Sequence, residues 1–259
     1  MKRSDLTITT RTAKPRADLV SAATNARVRT TIVGASTLRV DLPDELRTAA
    51  LPQAVHATAA GREWSLAAIR RETGLVRIVY EDANINTLRG FTDRTMYQVA
   101  LPAAEIIERF CAEAGVPVTT EPVLGQIHID GAGRSILDRT TSWQEIAALA
   151  DRIGGRAFAT PDGILVTTDS ALRTGTATRV TDGAANVLSD ITFNLDTAQP
   201  HDRATFTVDS TWDTEAGRPV DIRGTGPGDG RWIVAEWTRD LPAAGPGRVR
   251  LTRPRTLGA

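Results

Sequence analysis

Apolar and polar residues alternate in steps of two at both ends of this chain, and this alternation is the feature that most limits its possible folds. A period of two places successive side chains on opposite faces of an extended strand, so it indicates half-buried β-strands. In the first part the alternating residues are Leu6 and Ile8; Val28, Thr30 and Ile32; Leu38, Val40 and Leu42; Val55, Ala57 and Ala59; and Val76, Ile78 and Tyr80. Turn residues at 33–36, 60–62 and 72–74 separate these stretches, and the last turn predicts a hairpin.

The same alternation returns in the last third, after a polar connector over residues 173–179. Its apolar members are Ile191, Phe193 and Leu195; Phe206 and Val208; Val220 and Ile222; Ile233, Ala235 and Trp237; and Val249 and Leu251. They predict about five strands in a second all-β unit.

Between the two β-rich parts the period changes to that of a helix. After Pro102 the apolar residues lie on one face of a 3.6-residue helix, and Gly115 is placed to end it. This apolar face consists of Ala103, Ile106, Ile107, Phe110, Cys111 and Ala114.

A second helix is predicted around Trp143, with Ser142 and Glu145 at the spacing of a capping box and Gly154 at its end. Its apolar face consists of Trp143, Ile146, Leu149, Ala150 and Ile153. Residues 116–118 and 126–129 are expected to be extended, and residues 157–159 and 164–166 flank a Pro-Asp-Gly turn that is typical of a hairpin.

These patterns predict a mainly β chain with an α+β insert, in which two small β-barrel-like domains flank a small α/β module. The first β domain is assigned to residues 1–98, with residues 171–185 as a candidate completion. The insert with two helices and a hairpin is assigned to residues 99–170, and the second β domain to residues 186–259.

The composition favours protein partners over polyanions. Lys plus Arg equals Asp plus Glu at 31 each in 259 residues, so no overall field would hold a nucleic acid or an anionic membrane. Only Lys2 and Lys14 are lysines, and arginine is favoured at protein interfaces. The single cysteine, Cys111, excludes an internal disulfide, and we expect neither a transmembrane segment nor a signal peptide, hence folding in a cytoplasm.

Two histidine-carboxylate pairs could in principle do chemistry. His128 and Asp130 would share one face of a strand as a metal or acid/base pair, but no third ligand lies nearby in sequence. His201 and Asp202 follow Pro200 in what we interpret as a turn, where Asp serves backbone hydrogen bonding.

Two further candidates have simpler structural explanations. Glu81 and Asp82 are adjacent on a strand and should face opposite ways, so they cannot flank one bond, and a strand end or inter-domain contact is favoured. Cys111 lies in the apolar stripe of its helix, which favours a core thiol over a nucleophile.

The glycine-rich run 224–230 and the tryptophans were the remaining candidates for ligand binding. The run lacks the Gly-Lys-Ser/Thr ending of a phosphate loop and opens a strand, so we interpret it as a turn. Exposed tryptophans could stack on sugars or bases, although core and interface anchoring is the more common role. These tryptophans are Trp64, Trp143, Trp212, Trp232 and Trp237.

We predict no catalytic, cofactor-binding or metal-binding residue, and therefore no enzyme.

Taken in order, four stretches resemble the tail hub family of phages, of the late control protein D and baseplate hub type. The first is STLRVDL (36–42) with VRIVYED (76–82) and LR (88–89), and the second is AEIIERFCAEAGVP (104–117). The third is TSWQEIAALA (141–150) with GGRAF (154–158) and DGIL (162–165). The fourth resembles the hub portion of actinobacteriophage minor tail proteins: GRPV (217–220), DGRWIV (229–234), RDL (239–241) and LTRP (251–254).

The resemblance implies a structural virion protein in which three copies close a ring, so that six similar barrels match the sixfold tail tube. The implied partners are two further copies, a distal tail protein or tube ring, and a tail tip or fibre protein, with a tape-measure protein as a further candidate. DNA would only pass through the lumen, and the chain would lie at the tail tip after assembly in the host cytoplasm. Related chains often continue into a peptidoglycan hydrolase, whereas this sequence ends at Ala259, so we expect no lytic activity.

Two alternatives stay open at the level of sequence. One is a cell-wall or polysaccharide-binding tail module that uses exposed tryptophans as platforms. The other is a small hydrolase built on His128 and Asp130.

Overall fold

The computed structural model describes residues 6–48, 51–92, 101–129, 140–195, 201–209, 211–212, 214–241 and 246–254. The first part contains β1 (Thr7–Thr9), α1 (Ala17–Ala22), β2 (Asn25–Thr31), β3 (Thr37–Pro43), β4 (His56–Ala59), β5 (Arg62–Glu72), β6 (Leu75–Asp82) and α2 (Ala83–Gly90). The middle contains β7 (Leu101–Pro102), α3 (Ala103–Glu113), β8 (Val118–Thr120), β9 (His128–Ile129), α4 (Ser142–Arg152), β10 (Gly155–Thr160), β11 (Gly163–Thr168) and α5 (Asp169–Leu172). The last part contains β12 (Thr178–Thr181), β13 (Thr192–Asn194), β14 (His201–Val208), β15 (Pro219–Arg223), β16 (Gly230–Leu241) and β17 (Gly247–Pro254). Short 3-10 helices cover Asp44–Thr48, Leu51–Gln53, Pro122–Gln126 and Gly226–Gly228.

The N-terminal strands form an antiparallel sheet in the order β1-β4-β5-β6-β3-β2. The predicted turn at 72–74 is the tight hairpin between β5 and β6, where Glu72 pairs with Leu75. The alternating apolar residues of the sequence make a separate core, which includes Leu38, Val40, Leu42, Val76, Ile78, Tyr80 and Trp64. The long strand β5 was not predicted, because a register shift between Leu66 and Ala68 interrupts its alternation.

The C-terminal strands form a second antiparallel group with its own core. β16 pairs with β17, β17 with β14, and β14 with β13, while β15 pairs with β16. The core includes Phe206, Val220, Ile222, Trp232, Val249 and Leu251. The polar connector at 173–179 runs into β12, which pairs in parallel with β15, and Val180 of β12 belongs to this C-terminal core. Within the candidate completion of the N-terminal unit by residues 171–185, residues 178–181 thus pair with a strand of the C-terminal unit.

Strand β16 joins the two β units. Its first half pairs with β15, and its second half pairs with β2 of the N-terminal unit along the same edge. A register shift between Val234 and Glu236 marks the change of partner. Twelve of the described strands, those of the two β units, thereby form one sheet system. The mainly β fold with an α+β insert is confirmed, while the two β units are joined sheets rather than barrels closed on themselves within the described residues.

The insert packs its helices against a small sheet. α3 and α4 bury the faces predicted from their helical period, and β8 lies parallel to β11 of the β10–β11 hairpin. Two residues of α2, Ile85 and Leu88, also enter this core. The hairpin turn requires glycine at Gly163, because its φ is +132° and an added Cβ would lie 2.4 Å from the Pro117 carbonyl oxygen. The predicted domain boundaries stay predictions.

The N-terminus of α4 differs from the prediction by one residue. Thr141 is the N-cap, its Oγ1 accepts a hydrogen bond from the Gln144 backbone nitrogen, and the Gln144 side chain accepts one from the Thr141 nitrogen. The predicted cap residue Ser142 is instead the first helical residue and is buried. Both residue pairs have the same spacing, so the spacing alone could not choose between them.

We therefore expect Thr141→Ala to lower the free energy of unfolding by about 1 kcal/mol through loss of the cap. Ser142→Ala serves as the matched control and should change stability by less, because the Ser142 hydroxyl makes no hydrogen bond to the described part of the chain. Urea unfolding followed by circular dichroism measures both. A larger loss for Ser142→Ala than for Thr141→Ala would contradict this assignment of the cap.

A small apolar cluster lies where the three parts of the chain meet. Ile32 comes from the N-terminal unit, Phe158 from the insert, and Ile233 from the C-terminal unit. Beside it, Arg62 donates to the Ala159 carbonyl oxygen at 3.2 Å and to Glu215 at 3.0 Å, and lies 3.5 Å from Asp82. This junction fixes the three parts relative to one another through both apolar packing and a buried ion network.

Candidate assembly surface

One face of the long sheet is polar across the joint between the two β units. In an antiparallel pair, residues directly opposite each other point to the same face. The pairing sets Arg27 opposite Arg39, Arg29 opposite Thr238, and Arg250 opposite Glu236. We call this surface the arginine face, and it consists of Arg27, Arg29, Arg39, Arg203, Arg248 and Arg250 with Glu236, Thr238 and Asp240.

Ion pairs across the joint tie β2 to β16 and β17. Arg27 bonds Asp240 at 2.6 Å, and Glu236 accepts hydrogen bonds from both Arg29 at 2.5 Å and Arg250 at 2.7 Å. These side chains are between 19% and 48% exposed, so solvent weakens each pair to about 0.2–1 kcal/mol. Their main effect is to hold the guanidinium groups in fixed positions at the surface.

At the edge of this face Asp41 is held between two arginines. Burial opposes its ionisation, but hydrogen bonds from Arg39 and Arg77 outweigh burial and lower the pKa of Asp41. Asp41 thus carries a full negative charge at neutral pH and neutralises part of the arginine excess on this side of the sheet.

The arginine face forms two adjoining hollows that share Arg29 and Arg250. The first is lined also by Arg27, Arg39 and Arg248, and the second by Arg156, Arg203 and His201. Arg203 and Arg248 are exposed and make no ion pair or hydrogen bond with any described residue. Although the total charge of the chain is zero, the two adjoining hollows are locally basic, and we call them together the groove.

This groove can bind carboxylate or phosphate groups, because guanidinium groups form bidentate hydrogen bonds with both. Its arginines project from paired strands, which fix the spacing of their Cα atoms along the groove. The sequence signal for it was the alternation Arg27-Val28-Arg29 and Arg248-Val249-Arg250. What the sequence could not reveal is that these two strands flank β16 from opposite sides.

The histidine-carboxylate candidates do not form catalytic pairs among the described residues. His128 is exposed on the two-residue strand β9, and Asp130 lies outside the described residues. His201 lies in strand β14 rather than in a turn, and its Nε2 is 3.5 Å from Asp169. Asp202 points elsewhere and bonds Arg253 at 2.9 Å. No group of three or more potential metal ligands occurs among the residues that the structure describes.

Glu81 and Asp82 face different partners, as the alternation of a strand requires. Glu81 bonds Arg89 at 2.8 Å, whereas Asp82 lies near Arg62 and caps α2 by accepting from the Asn84 nitrogen at 3.0 Å. Burial raises the pKa of both carboxyls. Asp82 therefore closes a strand and caps a helix within the N-terminal unit, and it is its neighbour Arg62 that contacts the other parts of the chain.

Cys111 and the glycine-rich run are structural in this fold. Burial raises the pKa of the Cys111 thiol to about 12, so the nucleophilic thiolate is disfavoured. In the run 224–230, the backbone nitrogens of Gly224 and Thr225 donate to the Asp229 carboxylate at 3.1 and 2.7 Å. A side chain of the loop itself thus occupies the position that a bound anion would need.

The five tryptophans are at most 5% exposed, so none can serve as a flat binding platform. The indole nitrogen of Trp232 donates to the Gly228 carbonyl oxygen at 2.9 Å, and the Arg253 guanidinium lies 4.3 Å from its ring centre. The tryptophans therefore anchor cores, which was the more common of the two roles considered.

Among the described residues, no helix combines the length and the hydrophobicity needed to cross a membrane.

Comparison with solved structures shows that the chain shares its fold with phage tail proteins. A tail protein from Neisseria meningitidis has a TM-score of 0.64 and 11% identity, with 96% of each chain covered. A 43 kDa tail protein of a Shewanella oneidensis prophage has a TM-score of 0.66 and 10% identity, with 96% of this chain and 98% of the other covered.

Another similar structure belongs to a bacterial secretion system. It is an E. coli component of the type VI secretion system, described as structurally similar to the T4 tail proteins gp27 and gp5. Its TM-score is 0.57 at 12% identity, with 90% of this chain and 73% of the other covered. No protein-family model and no curated protein matches the sequence. The resemblance predicted from the sequence is confirmed at the level of the fold.

Proposed function

We propose that this protein is a structural component of a phage tail or a phage-derived injection machine, and that it forms the hub at the tail tip. The observation that carries the proposal is the shared fold with tail proteins over nearly the whole of both chains. The similar component of a type VI secretion system extends the same fold to an injection machine.

The proposed assembly is a homotrimer. Each copy contributes two antiparallel β units that meet at the β2–β16 pair, so a ring of three copies presents six β units. Such a ring matches a sixfold tail tube or distal tail ring on one side and a threefold tip or fibre protein on the other. A central lumen would let DNA pass, and a tape-measure protein is a further candidate partner.

We propose no catalytic activity for the chain. The described residues contain no group of three or more potential metal ligands, and the one thiol, Cys111, is buried. Burial of the tryptophans argues against the alternative of a polysaccharide-binding module, because that alternative depends on exposed aromatic platforms.

The oligomeric state tests this proposal. Purified full-length chain should sediment at three times its monomer mass of 27.8 kDa in analytical ultracentrifugation. In particles, antibody against the chain should label one end of the tail in electron micrographs, with the tail shaft as internal control. A stoichiometry not divisible by three would contradict the trimer, and labelling along the shaft would contradict the hub.

A further inference from the structure

We propose that the arginine face of one copy binds the acidic outer side of α3 from the next copy. We call that second surface the acidic side of α3, and it consists of Glu105, Glu108 and Glu113 with Arg109. The inference rests on the homotrimer proposed above and names the surfaces through which its copies meet.

The acidic side of α3 lies opposite the helix face that packs into the insert core. Glu105 bonds Arg109 at 2.5 Å, and Glu108 accepts a hydrogen bond from Thr120 at 2.7 Å. Glu113 is exposed and makes no ion pair or hydrogen bond with any described residue. Three carboxylates against one guanidinium leave this surface with an excess of negative charge.

The arginine face has the opposite excess and a similar length. Arg203 stands four residues from Thr207 on β14, and Thr207 is opposite Arg248, so the two unpaired arginines are about 14 Å apart along the strand direction. Glu105 and Glu113 are eight residues apart, which is about 12 Å along a helix. An α3 helix laid along the groove can therefore bring one carboxylate near each unpaired arginine.

A second copy fits this groove better than DNA does. Glu236 and Asp240 lie within the face and would repel phosphates at contact distance, whereas a protein surface can place Arg109 beside them. Among the described residues, no Phe, Tyr or Trp side chain lines either hollow, so the large aromatic platforms on which bases usually stack are missing there. The total charge of zero also gives no long-range attraction for a polyanion.

The symmetry of a ring requires this kind of pairing. Three copies related by a threefold axis meet through two different patches of the same chain, and these patches must be complementary. The arginine face and the acidic side of α3 are two such patches on separate parts of the fold, with opposite charge.

Charge reversal of either patch tests the inference. Arg203→Glu with Arg248→Glu, and separately Glu105→Arg with Glu113→Arg, should each raise the dissociation constant of the full-length oligomer at least about 100-fold, because like charges then face each other. All four substitutions in one chain should restore association, since the patches are again complementary. Sedimentation across a concentration series measures this, and unchanged melting temperatures show that the variants are folded.

The matched control is Arg11→Glu with Arg179→Glu, which gives the same net charge as the groove variant from exposed arginines outside both patches. It should leave the dissociation constant unchanged.

Three outcomes would overturn the inference. A trimer that survives both reversals would leave the hub proposal standing but remove these surfaces from the contact. A wild-type chain that stays monomeric at every concentration would remove the homotrimer itself. If the groove variant lost only binding to a duplex DNA probe at 150 mM salt and kept its oligomeric state, the groove would be a polyanion site instead.

Discussion

Arg62→Ala is expected to lower the free energy of unfolding by about 3–5 kcal/mol, because it leaves a buried carboxylate without its cation. The side chains of Arg62 and Asp82 are 2% and 3% exposed. The substitution also removes the hydrogen bonds to Glu215 and to the Ala159 carbonyl oxygen. All three partners belong to different parts of the chain, so the loss should loosen the junction as well as destabilise the fold. Chemical denaturation at pH 7 measures it.

The pH dependence of this loss follows from Asp82. Burial raises the pKa of Asp82, and the charge of Arg62 partly opposes this rise. Without Arg62 the folded-state pKa should rise further above its unfolded value. A raised carboxyl pKa contributes stability that is present at low pH and is lost as pH rises through the folded-state pKa. The difference in the free energy of unfolding between Arg62→Ala and wild type should therefore become smaller as pH falls from 7 towards 5.

Two controls separate the buried network from a general loss of arginine. Arg27→Ala removes a half-exposed pair with Asp240 and should cost only about 0.2–1 kcal/mol. Arg62→Met combined with Asp82→Asn removes both charges and should recover part of the loss, because no unpaired buried charge remains. An Arg62→Ala loss no larger than that of Arg27→Ala would contradict the structural role of the network.

Periodicity predicted the elements whose pattern is regular over many residues. Of the six buried residues of α3, the sequence predicted all but Ala104, because eleven helical residues repeat the 3.6-residue period several times. The α2 helix was missed, although Asp82 caps it and Ile85 and Leu88 lie three apart, because eight residues give too few repeats to stand out from the preceding strand.

Long-range contacts set the features that the sequence could not reveal. Arg62 stands 97 residues from Ala159 and 153 from Glu215, and nothing in the local pattern links them. The arginine face likewise needs β2 beside β16, with Arg27 and Asp240 separated by 213 positions. The alternation of arginine with valine indicated an exposed strand face, but only the pairing of strands brings those faces together.

Trp237→Ala should lower the free energy of unfolding by about 3–5 kcal/mol, as expected when a large core side chain leaves a cavity. Trp237 is 5% exposed and belongs to the C-terminal core with Trp232 and Val234. Its sequence parity with Ile233 predicts the same inward orientation for Trp237, but Ile233 packs into the junction cluster on the other face. Trp237 faces the core because the register shift between Val234 and Glu236 changes the parity of the strand.

Two double-mutant cycles can show whether Trp237 faces the core because β16 alternates regularly or because its register shifts. Trp237 is directly opposite Val249 and shares its core, so Trp237→Ala and Val249→Ala should couple by about 0.5–3 kcal/mol. Trp237→Ala and Ile233→Ala should be additive within about 0.5 kcal/mol, because the two side chains lie on different faces and four residues apart. Coupling to Ile233 without coupling to Val249 would mean that β16 keeps a regular alternation. The change of pairing partner along β16 would then need another explanation, because the register shift lies between the residues that pair with β15 and those that pair with β2.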